Sequence, residues 1–377
     1  MQRFLASLAL TIAVLAGAAE AQPANRQNVV FVMIDGLRWQ EVFRGADTDL
    51  AASPEYMASP WADEARTQFV DVADRRAALM PFVTGRIGTE GALVGDRDHG
   101  SCAAVTNNMW FSYPGYNEAL TGAPDPRINS NEYPANPNVT WLEWLNRQPG
   151  FANRVRAVTS WDAFPRIINS ERSGVPVDAG FAPTNPATPE LRLLNRLLAE
   201  TPYPWDVVRA DAFTHHFALD AIRRLRPRAL FVSYGETDDF AHEGNYAQYL
   251  RSAHQTDAYL RELWETLQAS PHYAGRTTMI ITVDHGRGNV AGESWRHHYS
   301  PDALRERNSP LRERFPEGVP GSNEIWIGAI GPRVKAAEAD ASACAGLNQI
   351  AATAITAIGL DWRSYDAGIG APLDVFR

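Results

Sequence analysis

Three apolar runs in this sequence each end on an acidic residue, and two of those acids have a histidine beside them. Asn28–Ile34 runs into Asp35-Gly36, Arg228–Tyr234 runs into Gly235-Glu236-Thr237-Asp238, and Thr277–Val283 runs into Asp284-His285-Gly286. A single Asp after a strand is ordinarily a turn former or a helix cap. Three of them, with His242 and His285 nearby, have the makings of a metal cage. Asp238 and His242 stand four residues apart, so one helical turn aims both at one ion. Asp284 and His285 are adjacent and need a turning backbone to converge, a freedom that Gly286 and Gly288 supply. Trp295-Arg296-His297-His298 adds further imidazoles. Carboxylate and imidazole without thiolate suit Zn²⁺, with Mn²⁺ or Fe as alternatives.

The remaining histidines are plainer. His215, His216 and His254 fall in helical patterns and read as surface or core residues. His99 sits in a turn, with a role at the rim left open, and His272 reads as surface. A nucleophile is offered by Ser112 in Trp110-Phe111-Ser112-Tyr113-Pro114-Gly115-Tyr116-Asn117, a segment that ends in Thr121-Gly122. Serine at a helix start is most often an N-cap. The same position also favours anions, because backbone N–H groups and the helix dipole point there.

These residues need elements to hold them. The three apolar runs, together with Arg154–Thr159 and Glu324–Ile330, read as buried strands. Between them lie helical stripes over Phe213–Leu225, over Tyr246–Leu267 and from Leu347 to Ile358, the last stopped by Gly359. Strand–helix alternation predicts an α/β fold with a largely parallel central sheet and helices on both faces. Such sheets gather ligands at the carboxyl ends of their strands, which would bring Asp35, Asp238 and Asp284 to one rim. Segments 44–76, 113–140 and 286–322 are rich in Gly, Pro, Asn and Asp and read as long functional loops.

Composition sets the outer bounds. The 377 residues are 45% hydrophobic and 21% charged, which excludes a disordered chain. Net charge is −9, and no basic run of five exists, which argues against a nucleic-acid-binding surface. Residues 1–21 carry Arg3, an apolar stretch and Ala19-Glu20-Ala21, the pattern of a cleaved signal peptide. The expectation is export to the periplasm or beyond, no membrane segment after cleavage, and a single catalytic domain over 22–377. Cys102 and Cys344 either pair or stay as separate thiols.

Taken in order, acidic-Gly, Ser in a Pro turn, Asp-x-x-x-His, Asp-His-Gly and a late His, the chain resembles the alkaline phosphatase superfamily. The branch it is most similar to is the type I phosphodiesterase and nucleotide pyrophosphatase-like group. The resemblance runs from Asn28 to about Pro332 and implies an alkaline-phosphatase-like sandwich. It implies two divalent ions, one held by Asp35, Asp284, His285 and the Ser112 oxygen, the other by Asp238, His242 and His298. It also implies hydrolysis of a small phosphate ester through a phosphoseryl enzyme, as phosphatase or phosphodiesterase. Gly115 stands where relatives carry a phosphoryl-binding Asn, so Asn117 is the first substitute, ahead of Asn107 or a backbone N–H. Arg38 and Arg287 are candidate clamps for a doubly charged monoester, though Arg38 also reads as one half of a helix-face ion pair. Trp39, Trp110, Phe111, Tyr113 and Tyr116 are a candidate aromatic wall, with Trp161-Asp162 at the same rim. Sulfuric or phosphonic esters are alternative substrates. The sulfatase Ser-x-Pro-x-Arg signal is half present, with Tyr116 at the Arg position. A phosphoglycerate-mutase-like activity fits poorly, because only about 125 residues separate Ser112 from Asp238. A non-catalytic metal binder would not need Ser112.

Overall fold

The computed structural model describes residues 27–289, 292–338 and 344–376. The expected signal peptide lies outside these residues. Eleven strands are described: β1 (Asn28–Ile34), β2 (Ala92–Val94), β3 (Ala103–Ala104), β4 (Val155–Thr159), β5 (Val177–Ala179), β6 (Ala229–Tyr234), β7 (Thr277–Thr282), β8 (Glu324–Ile325), β9 (Ile327–Ile330), β10 (Ala337–Glu338) and β11 (Ala345–Gly346). Eight of them form one sheet in the order β10-β2-β9-β7-β1-β6-β4-β5, while β11, β3 and β8 form a second, small sheet.

β1 lies between β6 and β7 and is parallel to both, with Phe31 paired to Phe231 on one side and to Ile280 on the other. Every residue of β6 and β7, and Val29 to Ile34 of β1, is buried, as expected for strands covered on both faces. Among the named strands, antiparallel pairing is confined to β9, which runs against β2 and β7, and to the β3–β8 pair. The helix Tyr246–Ala269 buries Leu250, Ala253, Leu260, Leu263, Trp264 and Leu267, the stripe expected from the sequence, and Asn245 caps its start through Gln248 N–H. Among the described residues no helix is long and apolar enough to cross a membrane.

Several expectations are corrected. The run Glu324–Ile330 is two strands separated by Trp326, whose indole N–H donates to Leu37 O and whose carbonyl accepts the Thr282 hydroxyl. The helix expected from Phe213 begins at Asp211, and its last turn, Ala221–Leu225, is π-helical. Segment 113–140 is not all loop, because its first residues belong to a helix, Ser112–Thr121. Segment 44–76 carries Thr48–Ala52 and Ala62–Ala65, and segment 286–322 carries Pro301–Glu306 and Leu311–Arg314. Helices of one or two turns set up no readable period; those at Thr48 and Pro301 are started by the side chains of Asp47 and Ser300. Cys102 and Cys344 are joined in a disulfide beside the small sheet, with Cα atoms 4.8 Å apart.

Candidate metal centre

The carboxyl ends of β1, β6 and β7 lie side by side, so Asp35, Asp238 and Asp284 meet although they come from distant parts of the chain. Two groups of ligand atoms result, Asp35–Asp284–His285 and Asp238–His285–His298. In the first, His285 Nε2 lies 3.3 Å from Asp35 Oδ1 and 3.3 Å from Asp284 Oδ2. These match the edge of a tetrahedron with bonds of about 2.0–2.2 Å. In the second, His298 Nε2 is 3.6 Å and His285 Nε2 3.8 Å from Asp238 Oδ1; His242, outside this group of three, stands beside it with Nε2 3.2 Å from Asp238 Oδ2 and 3.0 Å from His298 Nε2.

The surroundings aim these atoms. Tyr116 O–H donates to Asp35 Oδ2 and Gly36 N–H donates to Asp284 Oδ1. Each carboxylate is thus bound through one oxygen. The other oxygens, Asp35 Oδ1 and Asp284 Oδ2, are buried without a hydrogen-bond partner. Bare anionic oxygens at such depth are costly unless a cation meets them. The imidazoles are oriented likewise. His285 Nδ1 is 2.8 Å from Gly286 O and His298 Nδ1 is 3.2 Å from Trp110 O, which turns both Nε2 atoms inward. Trp110 has φ 55°, a left-handed conformation that costs about 1–2 kcal/mol outside glycine; the chain then turns into the Ser112 helix.

Electrostatics report a site built for positive charge. Burial and the nearby Asp238 raise Asp35, and burial and Asp35 hold Asp284 well above the carboxylate range. Burial opposes charge on His285, but Asp284 and Asp35 outweigh it and bring the imidazole to about 9. Burial and the neighbouring His285 push His298 well below its usual value, which suits a neutral ligand. Burial works against Asp238 too, yet Arg287, His242 and His298 hold its carboxyl well below the ordinary range. The donor set, all oxygen and imidazole nitrogen with two unpaired oxygens, fits divalent cations.

Ser112 is the first residue of its helix. Phe111 is the cap, and no side-chain cap bond is made, so the hydroxyl is not an N-cap. Ser112 Oγ lies 3.4 Å from His285 Nε2, buried at the edge of a cleft of about 270 Å³ that Asp35, Asp238 and His242 also line. Gly115 is explained by the next turn of that helix: a Cβ there would stand 2.1 Å from Asp284 O. The helix can pack onto the end of β7 only because that residue has no side chain.

The structure brings together Asp35, Ser112, Asp238, His242, Asp284, His285 and His298. It does not bring Asn117 to them. The Asn117 side chain faces the other way, accepts from Asn136 and Asn138 and donates to Ala123 O. Helical spacing explains this, since five residues from Ser112 is well past one turn. The amide that lines the cleft is Asn131, whose Oδ1 accepts Tyr113 N–H at 3.0 Å. Asn107 is also engaged elsewhere, with Glu118. Of the expected aromatic wall only Tyr116 lines the cleft, joined by Trp161, Val207 and Val208. Tyr113 bonds Pro134 O and Arg166 O, and Trp39 bonds Glu324. Arg38 is buried against Glu41 and Gly288 O, and Arg287 against Asp238, so neither reaches the cleft as a clamp. His297 makes no part of either ligand group, and His99 pairs with Asp96 at the surface.

No family model and no curated protein matches the chain. Solved structures do. The wild-type alkaline phosphatase PafA is 11% identical over 93% of this chain and 99% of its own, with a TM-score of 0.55. A protein in the alkaline phosphatase superfamily from Vibrio parahaemolyticus is 15% identical over 89% of this chain and 67% of its own, at 0.50. Murine ectonucleotide pyrophosphatase/phosphodiesterase 5 is 12% identical over 89% and 95%, at 0.50. The resemblance read from the motifs therefore extends to the architecture: the chain has the fold of the alkaline phosphatase superfamily.

Proposed function

We propose that this chain hydrolyses phosphoric esters, with Ser112 as nucleophile and two divalent cations, zinc in the first instance. Asp35, Asp284, His285 and Ser112 would hold one, and Asp238, His242 and His298 the other. The observation that carries the reading is the Ser112 hydroxyl at a helix N-terminus, facing the same cleft as Asp35 and Asp238 and 3.4 Å from His285 Nε2. When bound, the cations would neutralise the phosphoryl oxygens and favour the ionised serine. Ser112 Oγ then forms a bond to phosphorus as the ester P–O bond breaks, and the leaving alkoxide takes up a proton. Water cleaves the phosphoserine in a second displacement and regenerates Ser112. Asn131, with its Oδ1 tied to Tyr113 N–H, has its NH₂ group left to donate to a phosphoryl oxygen.

The charge of the cleft favours a diester over a monoester. A monoester dianion ordinarily meets a fixed cation beyond the metals. The residues lining this cleft include Glu132 and Asp239 but no Lys or Arg. The second substituent of a diester would lie along Trp161, Val207 and Val208. Sulfate esters also carry one negative charge and are the second reading. Against them, the Tyr116 hydroxyl at the position of the sulfatase Arg is bound to Asp35. The test is a panel of p-nitrophenyl phosphate, bis-p-nitrophenyl phosphate and p-nitrophenyl sulfate, each with and without chelator. The diester should turn over fastest, and chelator should abolish it. Ser112→Ala should lose at least roughly a thousandfold in turnover while keeping most of its bound metal by elemental analysis. Full turnover in that variant would remove Ser112 from the mechanism.

A further inference from the structure

Arg287 follows the Asp284-His285-Gly286 motif directly, and the cage as described has no use for it. Its side chain is fully buried. Nη2 donates to both Asp238 O and Asp238 Oδ1, Nη1 donates to Trp295 O at 3.2 Å, and Nε is buried without a partner. Gly36 makes the room. A Cβ there would stand 2.6 Å from Asp238 Oδ1 and 3.0 Å from Arg287 Nε, and its φ of 58° disfavours a side chain in any case. A guanidinium does not give up its proton in a protein, so this is a permanent positive charge inside the cage.

The pair makes the two ligand groups unlike. The inward oxygens of Asp35 and Asp284 face only the one imidazole of His285, 3.3 Å from each, whereas Asp238 meets His242 at Oδ2 and a guanidinium, Arg287, at Oδ1. The first group therefore offers two carboxylates against one imidazole, which can give up its proton to an incoming ion. The second offers one carboxylate, already balanced by a guanidinium, and two imidazoles. An incoming dication is drawn by net negative charge in the first place and opposed by a fixed cation in the second.

We propose that Arg287 is a positioning residue that sets Asp238 and makes the two cation sites fill in sequence, the Asp35–Asp284–His285 site first and the Asp238–His242–His298 site second and more weakly. This rests on the reading that both groups hold divalent cations. The experiment uses the full chain, stripped by chelator and dialysed against buffers of stepped free Zn²⁺, with bound zinc per chain measured by elemental analysis. The native protein should reach one zinc per chain, then a second at a free concentration at least on the order of tenfold higher. In Arg287→Met the second step should move down by about that factor, while Arg287→Lys, which keeps the charge, should retain the two steps. Asp238→Asn should remove only the weaker step and Asp35→Asn only the tighter one, which tests the order even if Arg287→Met does not fold. A single merged step for two zinc ions in the native protein, or an Arg287→Met titration that overlays the native one, overturns the role of Arg287 alone. A chain that binds no zinc overturns the metal reading as well.

Discussion

Asp35 and Asp284 spend one oxygen each on a neighbour and leave the other bare, and that division is what a ligand carboxylate needs. The same principle identifies Asn131, whose carbonyl oxygen is held so that its NH₂ group is left to the cleft. Asn131→Ala should lower kcat against bis-p-nitrophenyl phosphate by about 10²–10³, the usual loss of one preorganised donor, with zinc content unchanged. Asn117→Ala should show no such selective loss of kcat. The residues of the candidate cage were legible in the sequence because Asp35, Asp238 and Asp284 end strands and His242 and His285 stand at fixed spacing from them, while His298 rested on the resemblance alone. Asn131 was not, because it stands in an aperiodic stretch beyond the helix and is set at the cleft by long-range bonds from Tyr113 N–H and from Arg166 to its backbone carbonyl. Asn117, nearer in sequence, is turned away from Ser112 by the rotation of the helix.

At the scale of elements, the decisive contact is between the Ser112 helix and the end of β7. Gly115 lets that helix sit against Asp284 O, and so sets the depth of the Ser112 hydroxyl relative to His285. Gly115→Ala should cost about 1–3 kcal/mol through overpacking, seen as a lower denaturation midpoint. It should also reduce turnover more than the stability loss alone requires, because Ser112, the proposed nucleophile, is pushed away from His285. A variant as active and stable as the native protein would show that the helix packs differently. The long strands and the helix Tyr246–Ala269 were plain in the sequence, since buried parallel strands are continuously apolar and a helix of six turns repeats its stripe. The break at Trp326 was not, because an apolar residue that bends a strand looks like one that continues it.

For the whole molecule, two buried acids and a partly exposed third converge on one rim, and their charge ties folding to pH. Asp35 and Asp284 lie above their ordinary values in the folded chain without a cation, so ionising them costs stability that is not lost in the unfolded state. His285, raised to about 9, stabilises while protonated, a contribution lost as pH rises from its unfolded value of about 6.5 through 9. Both effects have the same sign. The stripped protein should become less stable as pH rises from about 6.5 to 9; in more acid solution the lowered His298 and Asp238 work the other way. Zinc should restore the midpoint most strongly at neutral and alkaline pH. Thermal melts of the stripped and loaded forms across pH check this, and parallel curves would count against the cage.

The sheet order carries one more consequence. β1, β6 and β7 are neighbours in space, but they begin at residues 28, 229 and 277. A chain emerging from its N-terminus would already carry Asp35, Ser112, Asp238 and His242 before β7 existed to seat Asp284 and His285. The Asp35–Asp284–His285 group thus cannot be completed until β7 docks, so its assembly is a late event that waits on a strand synthesised after β1 and β6.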